Sequence, residues 1–312
     1  MKKLLVVVGP TGTGKTDLAL EFAKKLDGEI ISADSRQIYK GMDIGTGKIT
    51  VDQKITKHEG YWLVDGIPVY LYDVANPDSP FSVAQFQQLA YEKIHEIQSK
   101  NKLPILVGGT GLYVRAVVQG LKVPQVEPDK KLRSKLEKKP LPMLLTELEK
   151  VDPKAYLKVD KSNLRRVIRA LEVFYKTGQP ISSLAQKYKP HFDTLQIGLT
   201  APREILYEKT DERVDKWFDQ WFINEVRGLS KKYDSNLPSM SSLGYRQIIS
   251  YLNRKIPLER AVQRIKFDHH GYIRRQFTWF KKEVGITWFD ISQPSFKEKA
   301  YLFVLEWINA QD

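Results

Sequence analysis

The 312-residue sequence predicts an α/β fold: a P-loop NTPase-like parallel sheet with helices on both faces, carrying a basic helical insertion. Three observations lead there. Short apolar runs of strand length alternate with longer segments of helical period, enough for about five strands. The first run, Leu4–Val8, feeds a glycine-bearing loop and then a helix. Residues 122–191 hold +9 of the formal net charge of +13, so the excess sits in one block.

The loop is Gly9-Pro10-Thr11-Gly12-Thr13-Gly14-Lys15-Thr16, in which Gly9, Gly14, Lys15 and Thr16 satisfy G-x-x-x-x-G-K-[ST]. Glycines let successive N–H groups turn inward at an anion. The helix starting near Lys15 adds its positive end. Lys15 supplies a mobile cation, and the Thr16 hydroxyl is placed to hold Mg²⁺. Leu18, Phe22 and Leu26 share one helical face. Such a loop binds a diphosphate or a triphosphate.

Glu29–Asp34 reads as a second strand ending in a carboxylate. Ligands of parallel sheets gather at that edge, so Asp34 is expected near the loop. A polar loop, Ser35–Tyr39, and a second glycine turn, Asp43–Lys48, follow. Tyr61–Tyr72 reads as a hairpin around Asp65-Gly66, and Ser82–Gln85 as a capping box opening a helix. The third strand, from Pro104, ends in Gly108-Gly109-Thr110. Nucleotide-hydrolysing P-loop proteins commonly place a Mg²⁺-positioning Asp there, so an ordinary ATPase is disfavoured.

The basic segment reads as helical. Leu164, Ile168 and Leu171 make an apolar stripe, Arg165, Arg166 and Arg169 spread around the polar side, and Gly178-Gln-Pro180 ends the helix. Leu195–Thr200 and Ile286–Ile291 are the fourth and fifth strands, 202–284 is mostly helical, and a last helix closes the chain. The domain plan is a catalytic core of 1–121 with 192–312 and an insertion at 122–191. A basic block beside a phosphate site suggests a polyanionic partner, most simply nucleic acid.

The absence of cysteine excludes disulfides, thiolate nucleophiles and cysteine-ligated zinc, and fits a reducing compartment. The first apolar run enters the P-loop at Val8, so no signal peptide is expected. No apolar segment reaches membrane-spanning length, which predicts a cytoplasmic protein with no membrane partner. His269-His270 lack further ligands at metal spacing and are expected as a surface pair. The aromatic residues of 217–222 and 277–280 are expected in the core.

The segments GPTGTGKT (9–16), DSRQIY (34–39), DIGTGK (43–48), VGGTGLY (107–113), RRVIRALEV (165–173), LGYRQ (243–247) and RRQFTWF (274–280) occur in that order over nearly the whole chain. In them the sequence resembles the bacterial tRNA dimethylallyltransferases (tRNA isopentenyltransferases). DSRQIY together with VGGTGLY is the specific part. The resemblance implies Mg²⁺-dependent transfer of a dimethylallyl group from dimethylallyl diphosphate to N6 of the adenosine 3′ to the anticodon. It implies Asp34 as base, with Lys15, Thr16 and Arg213 stabilising the diphosphate; Arg213 sits in the context Glu-Arg-Val-Asp. It assigns Asp34, Ser35, Arg36, Gln37, Thr110, Asn163, Leu164, Arg165, Arg166, Val167, Ser241, Ser242, Leu243, Gly244, Tyr245 and Arg246 to the tRNA side. A monomer is expected.

Two departures stand out. Where relatives read T-R-x-x-A-K-R-Q this chain has His269-His-Gly-Tyr-Ile-Arg-Arg-Gln276, and a usual pair of histidines is Val69-Tyr70. Three other readings compete. A small-metabolite kinase leaves the basic block without a role, an ATP-driven RNA-binding protein gives Asp34 none, and an adenylate isopentenyltransferase uses a free nucleotide.

Overall fold

Eight strands are present: β1 (Lys3–Val8), β2 (Gly28–Ser32), β3 (Ile55–His58), β4 (Tyr61–Val64), β5 (Ile67–Tyr70), β6 (Leu103–Gly108), β7 (Asp193–Thr200) and β8 (Ile286–Asp290). They form one sheet in the order β3-β4-β5-β2-β6-β1-β7-β8. The computed structural model describes residues 2–49, 53–122, 124, 126–184, 191–219 and 221–310. The chain divides into two units, Met1–Val114 with His191–Asp312, and Arg115–Pro190. Six strands, β5 to β8 in sheet order, run parallel, while β3 and β4 add an antiparallel edge. The count exceeds five because the hairpin joins the sheet and because β3 escapes a pattern search. Ile55-Thr-Lys-His58 buries almost nothing, and an edge strand of that kind shows no apolar alternation. The hairpin turn has Asp65 at φ 50° and Gly66 at φ 85°, the two positive angles of a type I′ turn.

The parallel register sets the site. Ser32 pairs with Val107, and Val8 pairs with both Gly108 and Gly198, so the loops leaving β2, β6, β1 and β7 begin at one level. The helix α1 (Lys15–Lys25) lays Leu18, Ala19, Phe22 and Ala23 against Leu5, Val7, Ile105 and Val107. The strand residues alternating with these, Leu4, Val6 and Leu106, are equally buried on the opposite face, and α2 (Val83–Ser99) lies on β2 and β6. The capping box of Ser82 and Gln85 opens α2. A short α3 (Gly111–Val118) follows β6.

The second unit is helical: α4 (Lys130–Glu137), α5 (Leu141–Val151), α6 (Pro153–Lys158), α7 (Leu164–Thr177) and α8 (Ile181–Leu184). Leu136, Leu144, Leu148, Val167, Ile168 and Leu171 make its core. Asn163 caps α7 by accepting the Arg166 amide, and Gly178 ends it at φ 69°. Glu172 is fully buried in this core. It receives Arg133 Nε and Nη2 at 2.8 and 2.7 Å, Arg169 Nη1 at 2.6 Å and the Asp129 amide at 2.8 Å. Arg169 is thus a structural partner, unlike the exposed Arg165 and Arg166.

Returning to the first unit, α9 (Arg203–Asp219), α10 (Phe222–Lys232), α11 (Tyr245–Leu252) and α12 (Leu258–Phe280) pack around Val214, Trp217, Phe222, Val226, Tyr245, Ile248 and Ile265. The last helix, α13 (Phe296–Asn309), covers the α1 face of the sheet with Ala300 and Val304. On α12 the buried residues Ala261, Ile265, His269, Ile273, Gln276, Phe277 and Phe280 follow helical period. His269 is therefore no surface residue. It lies four residues from Ile265, bonds the Ile265 carbonyl at 2.9 Å, and burial with the Arg213 charge pushes its imidazole down to about 4. Only His270 reaches the surface region, where Nε2 meets Asp211 at 2.9 Å.

The Glu172 cluster predicts an acid-dependent stability. Burial alone would raise the carboxyl, but Arg133, the Asp129 amide and Arg169 hold it at about 2, against an ordinary 4.5. Its contribution is complete above pH 4.5 and is lost as pH falls through about 2. Glu172→Gln should cost about 3 kcal/mol at pH 7, the low end for a broken buried pair because both arginines reach water. Urea unfolding of the full chain followed by circular dichroism should show this gap closing in acid. A gap that persists undiminished at pH 2 would count against the ion pair.

Candidate active site

The P-loop is pinned from below. Gly9 has φ 150°, and a Cβ there would meet the Leu199 carbonyl of β7 at 2.6 Å, so no other residue lets β1 turn this close to its neighbour. Thr13 Oγ1 donates to the Pro10 carbonyl at 2.9 Å, and Lys15 Nζ donates to the same oxygen at 3.1 Å. Gly14 caps α1 in the left-handed region and supplies no side-chain bond, which leaves the first amides of the helix without a side-chain cap. Thr16 follows Lys15 in the first turn.

Asp34 stands beside this loop. The amide of Ala33 donates to the Val107 carbonyl at 2.7 Å, and the Thr110 amide to the Ala33 carbonyl at 3.3 Å, so the β2 and β6 loops are stitched together. Asp34 Oδ1 accepts the Arg36 amide at 2.8 Å. Its Oδ2 accepts no hydrogen bond among the described residues. The carboxylate acts on both cations of the site, favouring the charged forms of Lys15 and Arg213. Burial dominates nonetheless: with Arg213 adding repulsion, it pushes the Lys15 ammonium down to about 8.

Arg213 arrives from α9. Its Nη2 donates to Thr11 Oγ1 at 2.8 Å, its guanidinium lies 5.7 Å from the Trp217 ring centre, and its buried Nε has no partner. Burial pushes the guanidinium below its ordinary value.

The loop Ser35–Gln37 is braced on three sides. Ser35 N donates to Thr110 Oγ1 at 3.0 Å, Gln37 Nε2 to the Thr46 carbonyl at 3.1 Å, and Arg36 Nη1 to the Pro238 carbonyl at 2.9 Å. Behind it, fully buried Lys48 joins Asp43, Asp73 and the Tyr39 carbonyl, and Glu225 accepts the Ile44 amide at 2.9 Å and Tyr245 Oη at 2.6 Å. The Asp43–Lys48 turn is therefore a buttress.

The structure brings together residues 9–16, 34–37, Thr110 and Arg213. In the segment 241–246, Ser242, Gly244 and Tyr245 are buried, Leu243 is half-buried, and Ser241 and Arg246 are exposed. Arg246 pairs with Asp268. The segment 163–167 belongs to the second unit, where Asn163 is a cap, Leu164 and Val167 are packed, and Arg165 and Arg166 are exposed. Sequence reasoning missed three tyrosines, Tyr72, Tyr113 and Tyr272. Burial, with Asp34 nearby, pushes all three phenols up, and Tyr272 bonds Thr110. It also missed Gln276. Tyr113 and Gln276 fall within the quoted segments 107–113 and 274–280, but nothing local gives these residues a role, because their partners lie far away in sequence.

Fold and site together define a P-loop α/β protein whose phosphate loop faces a carboxylate from the next strand and an arginine from a distant helix. A family model described as IPP transferase matches residues 37–283. The chain is 41% identical over 303 residues to the tRNA dimethylallyltransferase of Thermomicrobium roseum, covering 96% of this chain and 89% of that one. It is 43% identical over 305 residues to the tRNA dimethylallyltransferase of Dictyoglomus turgidum, covering 96% and 90%. Among solved structures, the full-length tRNA isopentenylpyrophosphate transferase of Bacillus halodurans is 37% identical with TM-score 0.72, covering 98% of this chain and 96% of that one. A eukaryotic dimethylallyltransferase solved acting on tRNA is 28% identical with TM-score 0.83, covering 100% and 81%. The chain belongs to the tRNA dimethylallyltransferase family.

One consequence is measurable on the protein alone. Lys15 is charged below about pH 8 and neutral above it, so affinity for inorganic pyrophosphate should fall as pH rises through that value. Calorimetric titration of wild type against Lys15→Gln subtracts the ligand's own ionisation. Identical pH profiles for the two would remove Lys15 from the anion site.

Proposed function

We propose that this protein transfers a dimethylallyl group from dimethylallyl diphosphate to N6 of the adenosine 3′-adjacent to the anticodon of tRNA, releasing diphosphate. It does so as a cytoplasmic monomer. Among the described residues, no helix is long and apolar enough to cross a membrane. The observation that carries the reading is the position of Asp34: a carboxylate with one uncommitted oxygen, within electrostatic reach of Lys15 and Arg213.

Adenine N6 is a weak nucleophile because its lone pair is delocalised into the ring. Asp34 takes the N6 proton as the C–N bond forms. Charge developing on the departing diphosphate is stabilised by the P-loop amides, Lys15 and Arg213. The uncapped amides at the start of α1 suit the diphosphate, and the Thr16 hydroxyl beside them is a donor of the kind Mg²⁺ takes. No group of three or more Asp, Glu, His or Cys among the described residues forms a cage for the ion. This is how Mg²⁺ is commonly held, through substrate phosphates and water. Thr16 would hold it, and the ion would supply positive charge toward the leaving group. The target base must leave its stack to reach Asp34. The segment 122–191 serves as the electrostatic arm for tRNA, with exposed Arg165 and Arg166 on its polar side.

Radiolabelled dimethylallyl diphosphate and Mg²⁺ with both bulk tRNA and AMP present should give labelled RNA, whereas label in free AMP alone would assign the adenylate enzyme. Asp34→Asn keeps an acceptor for the Arg36 amide but cannot take the proton. Turnover should fall about 10²–10⁴-fold, with donor and tRNA binding little changed. Near-normal turnover at every Mg²⁺ concentration would overturn the role of Asp34.

Neutralising Arg165 and Arg166 together should weaken tRNA binding and lower its salt slope by about one or two, one counterion for each phosphate no longer neutralised. Filter binding between low and moderate salt reads this directly. An unchanged slope places their charge away from RNA.

A further inference from the structure

We infer that Gln276 is a positioning residue that couples the P-loop and its arginine to the turn carrying Thr110. The inference rests on the prenyl-transfer reading and adds to it a residue whose side chain is aimed at backbone.

Gln276 lies on the buried face of α12 and is only 4% exposed. Its Oε1 accepts the Thr11 amide at 2.9 Å, and its Nε2 donates to the Gly109 carbonyl at 3.0 Å. The orientation of the amide is fixed by these partners, because reversing it would set donor against donor. Space for the side chain exists because Gly109 lacks a Cβ; one added there would collide with the Gln276 amide. One neutral group thus spans two loops that leave neighbouring strands.

Each loop carries chemistry. Thr11 gives its N–H to Gln276 and accepts Arg213 with its hydroxyl. Its backbone therefore fixes where the guanidinium stands. On the other side, Gly109 precedes Thr110, whose hydroxyl accepts the Ser35 amide next to Asp34. Displacing either partner changes the distance between the base and the groups that stabilise the leaving diphosphate. Misplacement of about 1 Å by a residue away from the chemistry costs about 10²-fold in rate. Asparagine is one methylene shorter and cannot span both partners. Leucine fills the volume but takes away the partner of the Thr11 N–H and of the buried Gly109 C=O.

The test uses the full chain with Gln276→Leu and Gln276→Asn, each compared with Thr11→Val and the corresponding double variant. Single-turnover transfer is measured per folded molecule, with folding checked by thermal melting, and tRNA affinity is measured separately. A residue with only a structural role lowers the melting temperature and the folded fraction but leaves the rate per folded molecule alone. We expect that rate to fall about 10²-fold, with tRNA affinity unchanged and with the loss much smaller in the Thr11→Val background. If Gln276→Leu does not fold, the polar Gln276→Asn carries the same comparison. Retention of the wild-type rate in a folded variant, or losses that simply add to those of Thr11→Val, overturns the proposal.

Wild type that labels no tRNA would defeat the prenyl-transfer reading itself. Gln276 is then judged by affinity for inorganic pyrophosphate, which should weaken about tenfold in Gln276→Asn, as for one lost hydrogen bond. Unchanged affinity overturns the role there as well.

Discussion

Two like charges share one half-buried place. Lys15 and Arg213 repel each other, both are pushed toward losing their protons by burial, and Asp34 is the carboxylate that favours their charged forms. A site of this kind does not hold its own geometry through charge. The surroundings help hold it through bonds to uncharged groups: the Pro10 carbonyl accepts Lys15, the Thr11 hydroxyl accepts Arg213, and backbone pairs lock the β2 loop to the β6 loop. Under the proposed prenyl transfer this is positive charge set in place before negative charge develops on the leaving diphosphate.

Much of this was legible in the residues alone. The P-loop, the hairpin turn at Asp65-Gly66 and the Ser82–Gln85 cap are local devices, written within a few positions and read by local rules. The parallel sheet was legible from its buried runs, and Asp34 from its place at a strand end. Residues whose meaning depends on distant partners were not. Gln276 looks like one more polar residue in a basic run until Thr11 and Gly109 are seen beside it. His269 looked exposed because a doubled histidine attracts notice, whereas its spacing from Ile265 and Ile273 already set it on the apolar face. The edge strand β3 was invisible because it buries so little.

Charge behaves differently in the two units. In the first, buried Lys48 pairs with Asp43 and Asp73 behind the site, and Asp43 also pairs with the exposed Lys57. In the second, the fully buried Glu172 draws in two of the arginines and lysines that make this segment basic. A count of basic residues along the sequence therefore overstates the unpaired cations of this segment, whereas Arg165 and Arg166 are exposed.

The sheet register has a further consequence, for the order in which the chain assembles. β1 is made first but pairs on one side with β6 and on the other with β7, whose residues are 103–108 and 193–200. Arg115–Pro190 is synthesised between those two partners, and its helices depend on contacts within the unit. During synthesis the helical unit can collapse on local contacts while β1 still lacks its β7 neighbour. The P-loop waits longer still, because the amide that fixes Thr11 belongs to residue 276. The phosphate-binding motif is thus among the first parts translated and among the last to reach its final shape.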